Sequence, residues 1–266
     1  IMFSRKIISQ LEAWKQDEQH KPLILRGARQ VGKTTVVNQF GTEFDNYLYF
    51  NLEITQNARL LEMDIPLDQL VQLMFAQSGI SPKEGSTLIF IDEIQNSPKA
   101  ITRLRYFYEQ RPDLYIIAAG SLLENLVDVK VSFPVGRVQY LAMHPCSFCE
   151  FLHALGKNNL LDIIDRSYDY SSAFHNELMH LFNQYAIVGG MPEAVQKYAQ
   201  SGDVLALDNI YETLIQSYKD DSEKYVKGGM LTQVVRFVLS YGWAFAGKTI
   251  TLGNFANSGY KSREVA

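Results

Sequence analysis

The segment from Gly27 to Thr34 reads G-A-R-Q-V-G-K-T, which is the G-x-x-x-x-G-K-T spacing of a phosphate-binding loop. A short apolar run precedes it and a run that suits a helix, residues 36–40, follows it. Glycines let backbone N–H groups close around phosphate oxygens, and a helix N-terminus adds partial positive charge. We expect Lys33 to reach the β- and γ-phosphates of a nucleotide and the Thr34 hydroxyl to ligate Mg²⁺. The predicted nucleotide-binding residues are Gly27, Ala28, Arg29, Gln30, Val31, Gly32, Lys33, Thr34 and Thr35.

An acidic pair follows a second apolar run. Residues 88–91 read L-I-F-I, as in a strand that is covered on both faces, and Asp92 and Glu93 come directly after them. Ligands of open α/β sheets bind at the carboxyl ends of the strands, so this Walker B motif would face the phosphate loop. We expect Asp92 to hold Mg²⁺ and Glu93 to orient and deprotonate the attacking water as the catalytic base. A strand that ends in a solvated acidic turn is the alternative for this motif taken alone.

Ser121 is a candidate sensor of the γ-phosphate. It follows Gly120 at the end of a strand predicted over residues 114–119. In phosphate-loop ATPases with an additional central strand, that strand lies between the two motif-bearing strands, so its tip faces the γ-phosphate. A helix N-cap would use the same serine, and this alternative stays open.

Hydrophobic periodicity predicts alternating strands and helices up to about residue 145 and helices alone after it. The predicted strands are one opened by Pro22, then 47–52, 87–91, 114–119 and 137–142. The predicted helices are 4–16, 55–63, 67–77, 98–110, 146–155, 158–166, 172–187, 193–200 and 203–218. Strands separated by helices indicate a parallel α/β sheet. A charged linker is predicted over residues 219–224, followed by a further helix over 230–240.

The composition is that of an ordinary globular protein, with 266 residues, 47% hydrophobic and 20% charged. The net charge of −4 gives no general argument for nucleic-acid binding. No apolar run approaches the roughly 18 residues that cross a bilayer, and only two cysteines are present, which fits a reducing cytoplasm. Those cysteines form C-x-x-C at Cys146 and Cys149, for which metal or redox chemistry is a minor alternative to a place in a helix core.

Taken in order, the motifs resemble those of AAA-type ATPases described as ATP-binding proteins with a C-terminal domain of unknown function. The matching segments are the phosphate loop, I-D-E-I-Q (91–95), A-G-S-L-L-E (119–124), G-R (136–137), H-P-x-S-F-x-E-F-L (144–152) and V-G-G-M-P (188–192). The resemblance implies ATP and Mg²⁺ as ligands, a P-loop NTPase sheet of order 5-1-4-3-2 and an α-helical lid. It also implies that Arg137, at the G-R position, stabilises the transition state, in its own subunit or in a neighbouring one. A surface arginine beside a strand is the alternative.

These observations predict three domains. Residues 1–145 form an AAA-like ATPase core, 146–220 a helical lid, and 225–266 the start of a winged-helix-like domain that we expect to be truncated. The expected function is Mg²⁺-dependent ATP hydrolysis coupled to conformational change of a partner or of the C-terminal domain. The alternatives are a nucleotide-dependent switch with little turnover, or a DNA-associated motor or loader. Candidate partners are a second copy of the chain, DNA or another protein, and no membrane is expected.

Overall fold

The computed structural model describes residues 3, 5–120, 134, 136–166, 168–225, 237–245, 247 and 249. They fall into two compact units, Ile1–Ala199 and Gln200–Ala266. None of the described helices is both long enough and apolar enough to cross a membrane.

The first unit is built on a five-stranded parallel sheet. Its strands are β1 (Leu23–Arg26), β2 (Asn46–Asn51), β3 (Thr87–Asp92), β4 (Leu114–Gly120) and β5 (Gln139–Ala142). The order is β2-β3-β4-β1-β5, which confirms the predicted arrangement 5-1-4-3-2. β4 pairs with both β1 and β3, so the strand after the acidic pair does lie between the two motif-bearing strands.

Helices cover both faces of this sheet. They are α1 (Ile7–Gln16), α2 (Lys33–Gly41), α3 (Thr55–Glu62), α4 (Leu67–Ser78) and α5 (Pro98–Gln110). All six residues of β3 are buried, and successive side chains point to opposite faces. Leu88 and Phe90 pack with residues of α1 and α2, whereas Ile89 and Ile91 pack with residues of α3, α4 and α5. The continuous apolar run therefore reflects a strand buried on both sides.

A group of helices follows the sheet. They are α6 (Phe148–Ala154), α7 (Asn158–Arg166), α8 (Tyr168–Val188) and α9 (Pro192–Ser201). Leu152, Leu160 and Leu181 form a buried cluster among α6, α7 and α8. α6 begins two residues later than predicted because Ser147 and Glu150 form a capping box at its N-terminus.

The second unit contains α10 (Asp208–Tyr225) and a helical segment over residues 237–241. α10 passes through residues 219–224, so the linker predicted there is wrong. The Gln216 side-chain amide donates to Asp220 at 2.7 Å, an i, i+4 contact that stabilises the helix. The contact lies at the start of the charged segment that was predicted to be a linker. The predicted winged-helix elements after residue 249 lie outside the described residues, and the predicted domain boundaries stay predictions.

Candidate functional site

The phosphate loop connects β1 to α2 and is shaped by two glycines. A Cβ atom on Gly27 would lie 2.4 Å from the Met143 carbonyl oxygen, so only glycine fits at the start of the loop. Gly32 is the N-cap of α2, with a φ of 94° that favours glycine. No side chain caps this helix N-terminus, so its first N–H groups are available to an anion.

Lys33 curls back over the loop that precedes it. Its Nζ donates to the carbonyl oxygens of Gly27 at 2.8 Å and Ala28 at 2.9 Å. The residue is buried, and this burial lowers the pKa of Lys33, an effect opposed by the carboxylates of Glu93 and Asp92. The ammonium group is therefore held within the loop, where phosphate oxygens can replace the two carbonyl groups as acceptors.

Thr34 and Asp92 bring the two sequence motifs into contact. The Thr34 hydroxyl donates to Asp92 Oδ2 at 2.6 Å, and the Glu93 N–H donates to Asp92 Oδ1 at 3.0 Å. The Tyr49 hydroxyl, on β2, lies 3.4 Å from the same Oδ2 atom. Asp92 is only 3% exposed. An adjacent hydroxyl and carboxylate are oxygen ligands of the kind that Mg²⁺ prefers, so the residues present fit this ion.

Glu93 occupies a left-handed backbone conformation, with φ 53° and ψ 44°. This conformation is uncommon for a residue other than glycine, and such residues cluster at functional sites. The Gln95 side-chain amide donates to Glu93 Oε2. Burial raises the pKa of Glu93, and the bond from Gln95 opposes that rise. A half-buried carboxylate with a raised pKa has the properties of a general base.

Lys33, Thr34 and Glu93 line a cavity of about 380 Å³, a size that suits a small-molecule ligand. The predicted site residues that line it are Arg29, Gln30, Gly32, Lys33, Thr34, Thr35 and Glu93. The remaining lining residues include Phe3 and Arg5 near the N-terminus, and Pro192, Glu193 and Gln196 on α9. The motif pattern did not single out these five as cavity residues, because they are far from both motifs in sequence.

The side chain of Val31 packs away from the cavity, and its role in nucleotide binding through the loop backbone stays a prediction. Its side chain is fully buried in the core beside α2, and its carbonyl oxygen accepts a hydrogen bond from Arg5 at 3.1 Å. Ser121, the candidate sensor, lies outside the described residues.

Arg137 does not lie beside the phosphate loop of its own chain. Its neighbour Gln139 pairs with Leu23, and the Gln139 N–H donates to Pro22, so Arg137 is near the amino ends of the strands. The phosphate loop follows the carboxyl end of β1, at the opposite edge of the sheet. Arg137 Nε donates to Glu109 Oε1 at 2.6 Å at the end of α5. A role in the site of a neighbouring copy stays a prediction.

Cys146 lies two residues before α6 and Cys149 lies in its first turn. The part of the chain that the structure describes contains no group of three or more potential metal ligands. Burial raises the pKa of the Cys146 thiol to about 11, which makes it a poor thiolate at neutral pH. The described residues therefore favour the interpretation of this pair as part of a helix and its packing.

Residues 19–152, just over half of the chain, match the model of a protein family described as AAA domain. No curated protein is significantly similar in sequence.

Two solved structures match this chain over most of its length. A Walker-type ATPase of Pyrococcus abyssi is 16% identical with a TM-score of 0.53, over 94% of this chain and 86% of that chain. The structure of Drosophila ORC bound to DNA is 15% identical with a TM-score of 0.45, over 91% of this chain and 67% of that chain. The likeness to the Walker-type ATPase concerns the fold alone.

Proposed function

This chain belongs to the AAA domain family, and on that premise we propose that it binds ATP with Mg²⁺ and hydrolyses it. The energy of hydrolysis would be coupled to a conformational change of a partner or of the C-terminal part of the chain. Candidate partners remain a second copy of the chain, DNA or another protein.

The observation that supports this proposal best is the contact between the two motifs. Thr34, on α2, and Asp92, at the end of β3, are 58 positions apart in sequence, yet their side-chain oxygens are 2.6 Å apart. Lys33 and Glu93, the residues next to them, both line the same cavity. A candidate phosphate-binding cation, a candidate Mg²⁺ ligand and a candidate base thus line one cavity, and Asp92, the second candidate ligand, contacts the first.

Each of these side chains has a distinct role in the proposed reaction. Lys33 and the N–H groups at the start of α2 bind the phosphate oxygens, and Thr34 and Asp92 hold the metal ion. Magnesium supplies charge neutralisation on the phosphates when it is bound. Glu93 orients the attacking water and accepts its proton.

A switch with little turnover is the second candidate. The Glu93 carboxylate already accepts a hydrogen bond from Gln95, and its backbone is in the left-handed region. A carboxylate that keeps this partner when nucleotide is bound would be poorly placed for the water. The rate of hydrolysis separates the two candidates.

The test replaces Glu93 by Gln, which keeps the shape of the side chain but cannot accept a proton. Glu93→Gln should bind ATP as the unaltered protein does and hydrolyse it about 10²–10⁴-fold more slowly, the range typical of general bases. Released phosphate measures turnover, and titration with Mg-ATP measures binding. Glu43→Gln is a matched control, because Glu43 is an exposed carboxylate just after the end of α2, where it pairs with Lys15.

Equal turnover of Glu93→Gln and the unaltered protein would place the base elsewhere. Tight ATP binding with no measurable turnover in either protein would favour the switch.

A further inference from the structure

Arg5 is a buried arginine beside the phosphate loop, with 7% of its surface exposed. Its guanidinium donates in three directions. Nε bonds to Glu150 Oε1 at 2.9 Å, one terminal nitrogen to the Val31 carbonyl at 3.1 Å, and the other to the His144 carbonyl at 2.8 Å. The planar guanidinium group of arginine can donate to acceptors that lie in different fixed directions. The ammonium group of lysine, on a flexible side chain, cannot reproduce that geometry.

The Glu150 carboxylate ties the same cluster to the first turn of α6. Its Oε1 also accepts from the Lys6 N–H at 2.8 Å, and its Oε2 accepts from the Ser147 N–H at 2.7 Å. Ser147 in turn caps α6. The charges of Arg5 and Glu150 are therefore paired, and four further backbone groups complete their hydrogen bonding.

The segment before α6 also fixes the start of α9. The Cys146 N–H donates to the Gly190 carbonyl at 2.6 Å, and the Tyr185 hydroxyl donates to the Cys146 carbonyl at 2.7 Å. Two residues after Gly190, Pro192 begins the helix that contributes Pro192, Glu193 and Gln196 to the cavity. The contacts thus run from the phosphate loop through Arg5 and Glu150 to the helix on another side of the cavity.

We propose that Arg5 is a positioning residue for the nucleotide: it holds the phosphate loop in its binding shape through Val31 and joins the loop to α6 and α9 through Glu150. The inference rests on the proposed function, because it concerns the same cavity. If the phosphate loop adopts its binding-competent conformation in only a fraction of the molecules, the apparent Kd of the protein for nucleotide equals the intrinsic Kd divided by that fraction. Arg5 increases that fraction before nucleotide binds.

The experiment compares Arg5→Lys with Arg103→Lys. Arg103 is the matched control because it is also buried, at 5% exposure, and also donates to a backbone carbonyl, that of Met63, but it lines a different cleft. The Kd for Mg-ADP is measured by calorimetry, well below the melting temperature of each variant. Hydrogen exchange of a peptide that covers residues 27–35 is measured without nucleotide.

Arg5→Lys should raise the Kd for Mg-ADP about tenfold or more. This is the increase expected if the phosphate loop of the variant is in its binding-competent conformation in about a tenth of the molecules or fewer. It should also speed amide exchange in residues 27–35 in the nucleotide-free protein. Arg103→Lys should lower the melting temperature but change neither the Kd nor the exchange of that peptide.

The inference is overturned if Arg5→Lys loses thermal stability but binds Mg-ADP as the unaltered protein does. It is also overturned if the two arginine variants weaken binding equally, since that result indicates a general loss of stability. If the unaltered protein does not bind Mg-ADP or Mg-ATP, the proposed function fails and the inference fails with it.

Discussion

Several charged side chains in and near the cavity are buried, and each is stabilised by a few hydrogen-bond or ion-pair partners. Lys33, Asp92, Arg5 and Glu150 are all buried. A buried charge is tolerated only when it is paired and hydrogen-bonded. The structure meets this requirement with the Thr34–Asp92 contact, the carbonyl groups around Lys33 and the Arg5–Glu150 pair.

Glu150 provides a pH-dependent test of this pairing. Burial alone would raise the pKa of Glu150, but the N–H groups of Ser147 and Lys6 and the Arg5 guanidinium outweigh it, so the pKa lies below its ordinary value of 4.5. A carboxyl group with a lowered pKa in the folded protein stabilises the fold above its unfolded pKa. That contribution is lost as the pH falls through the folded value.

Glu150→Gln should therefore lower the free energy of unfolding at pH 7 by roughly 3 kcal/mol, because it leaves Arg5 without its counter-ion. The difference from the unaltered protein should shrink as the pH falls below 4.5. Urea unfolding from pH 8 down to about pH 2 measures it, with Glu12→Gln on the exposed side of α1 as control. A difference that stays constant over this range would mean that the ionised carboxylate is not what stabilises the fold.

The sequence predicted the residues of the two motifs but not the residues that support them. The loop and the acidic pair are contiguous patterns whose chemistry can be recognised locally, and the structure places Lys33 and Glu93 around one cavity. Arg5 and Glu150 are 145 positions apart, and nothing local to either indicates the other. Long-range partners of this kind depend on the fold itself.

At the scale of helices and strands, the break between α8 and α9 positions one side of the cavity. Gly189 ends α8 with a φ of 65°, in the left-handed conformation common after a helix C-terminus. Gly190 has a different constraint, because a Cβ atom there would lie 2.5 Å from the Cys146 carbonyl oxygen. The second glycine therefore permits the close contact between this turn and the segment that leads into α6.

Gly190→Ala should lower the free energy of unfolding by about 1–3 kcal/mol, the usual cost of forcing an extra carbon into a packed contact. It should also weaken Mg-ADP binding, because the backbone must shift just before Pro192. Gly189→Asn is the control: no atom lies within 4 Å of a Cβ there, and asparagine tolerates the left-handed region. If Gly189→Asn is the more damaging of the two, backbone conformation rather than close contact governs this turn.

The elements that the sequence predicted well are those with a strong local signal. β3 and β4 are continuous apolar runs, and the parallel sheet with its order is confirmed. α10 was predicted to end before the charged residues at 219–224, and this was wrong, since a helix can carry such residues on its exposed face. Charge alone was a poor indicator of a linker.

For the molecule as a whole, the family match confirms the resemblance that the motifs indicated. Among the residues that the structure describes, those that line the cavity all belong to the first compact unit, Ile1–Ala199. The sequence could predict the class of this unit because the phosphate loop and the acidic pair constrain its topology. The proposed hydrolysis would act on a partner or on the C-terminal part of the chain, and the motifs contain no information about which.

The most direct test of the central claim is nucleotide-dependent stabilisation of the unaltered protein and of Lys33→Ala. At Mg-ATP concentrations a hundredfold above Kd, the unaltered protein should gain about 2.7 kcal/mol in its free energy of unfolding. Lys99→Ala, which removes a partly exposed lysine that pairs with Asp64 on the surface, should gain the same amount. Lys33→Ala should gain little or nothing, because the cation that contacts the phosphates is gone. Equal stabilisation of Lys33→Ala and the unaltered protein would contradict the account.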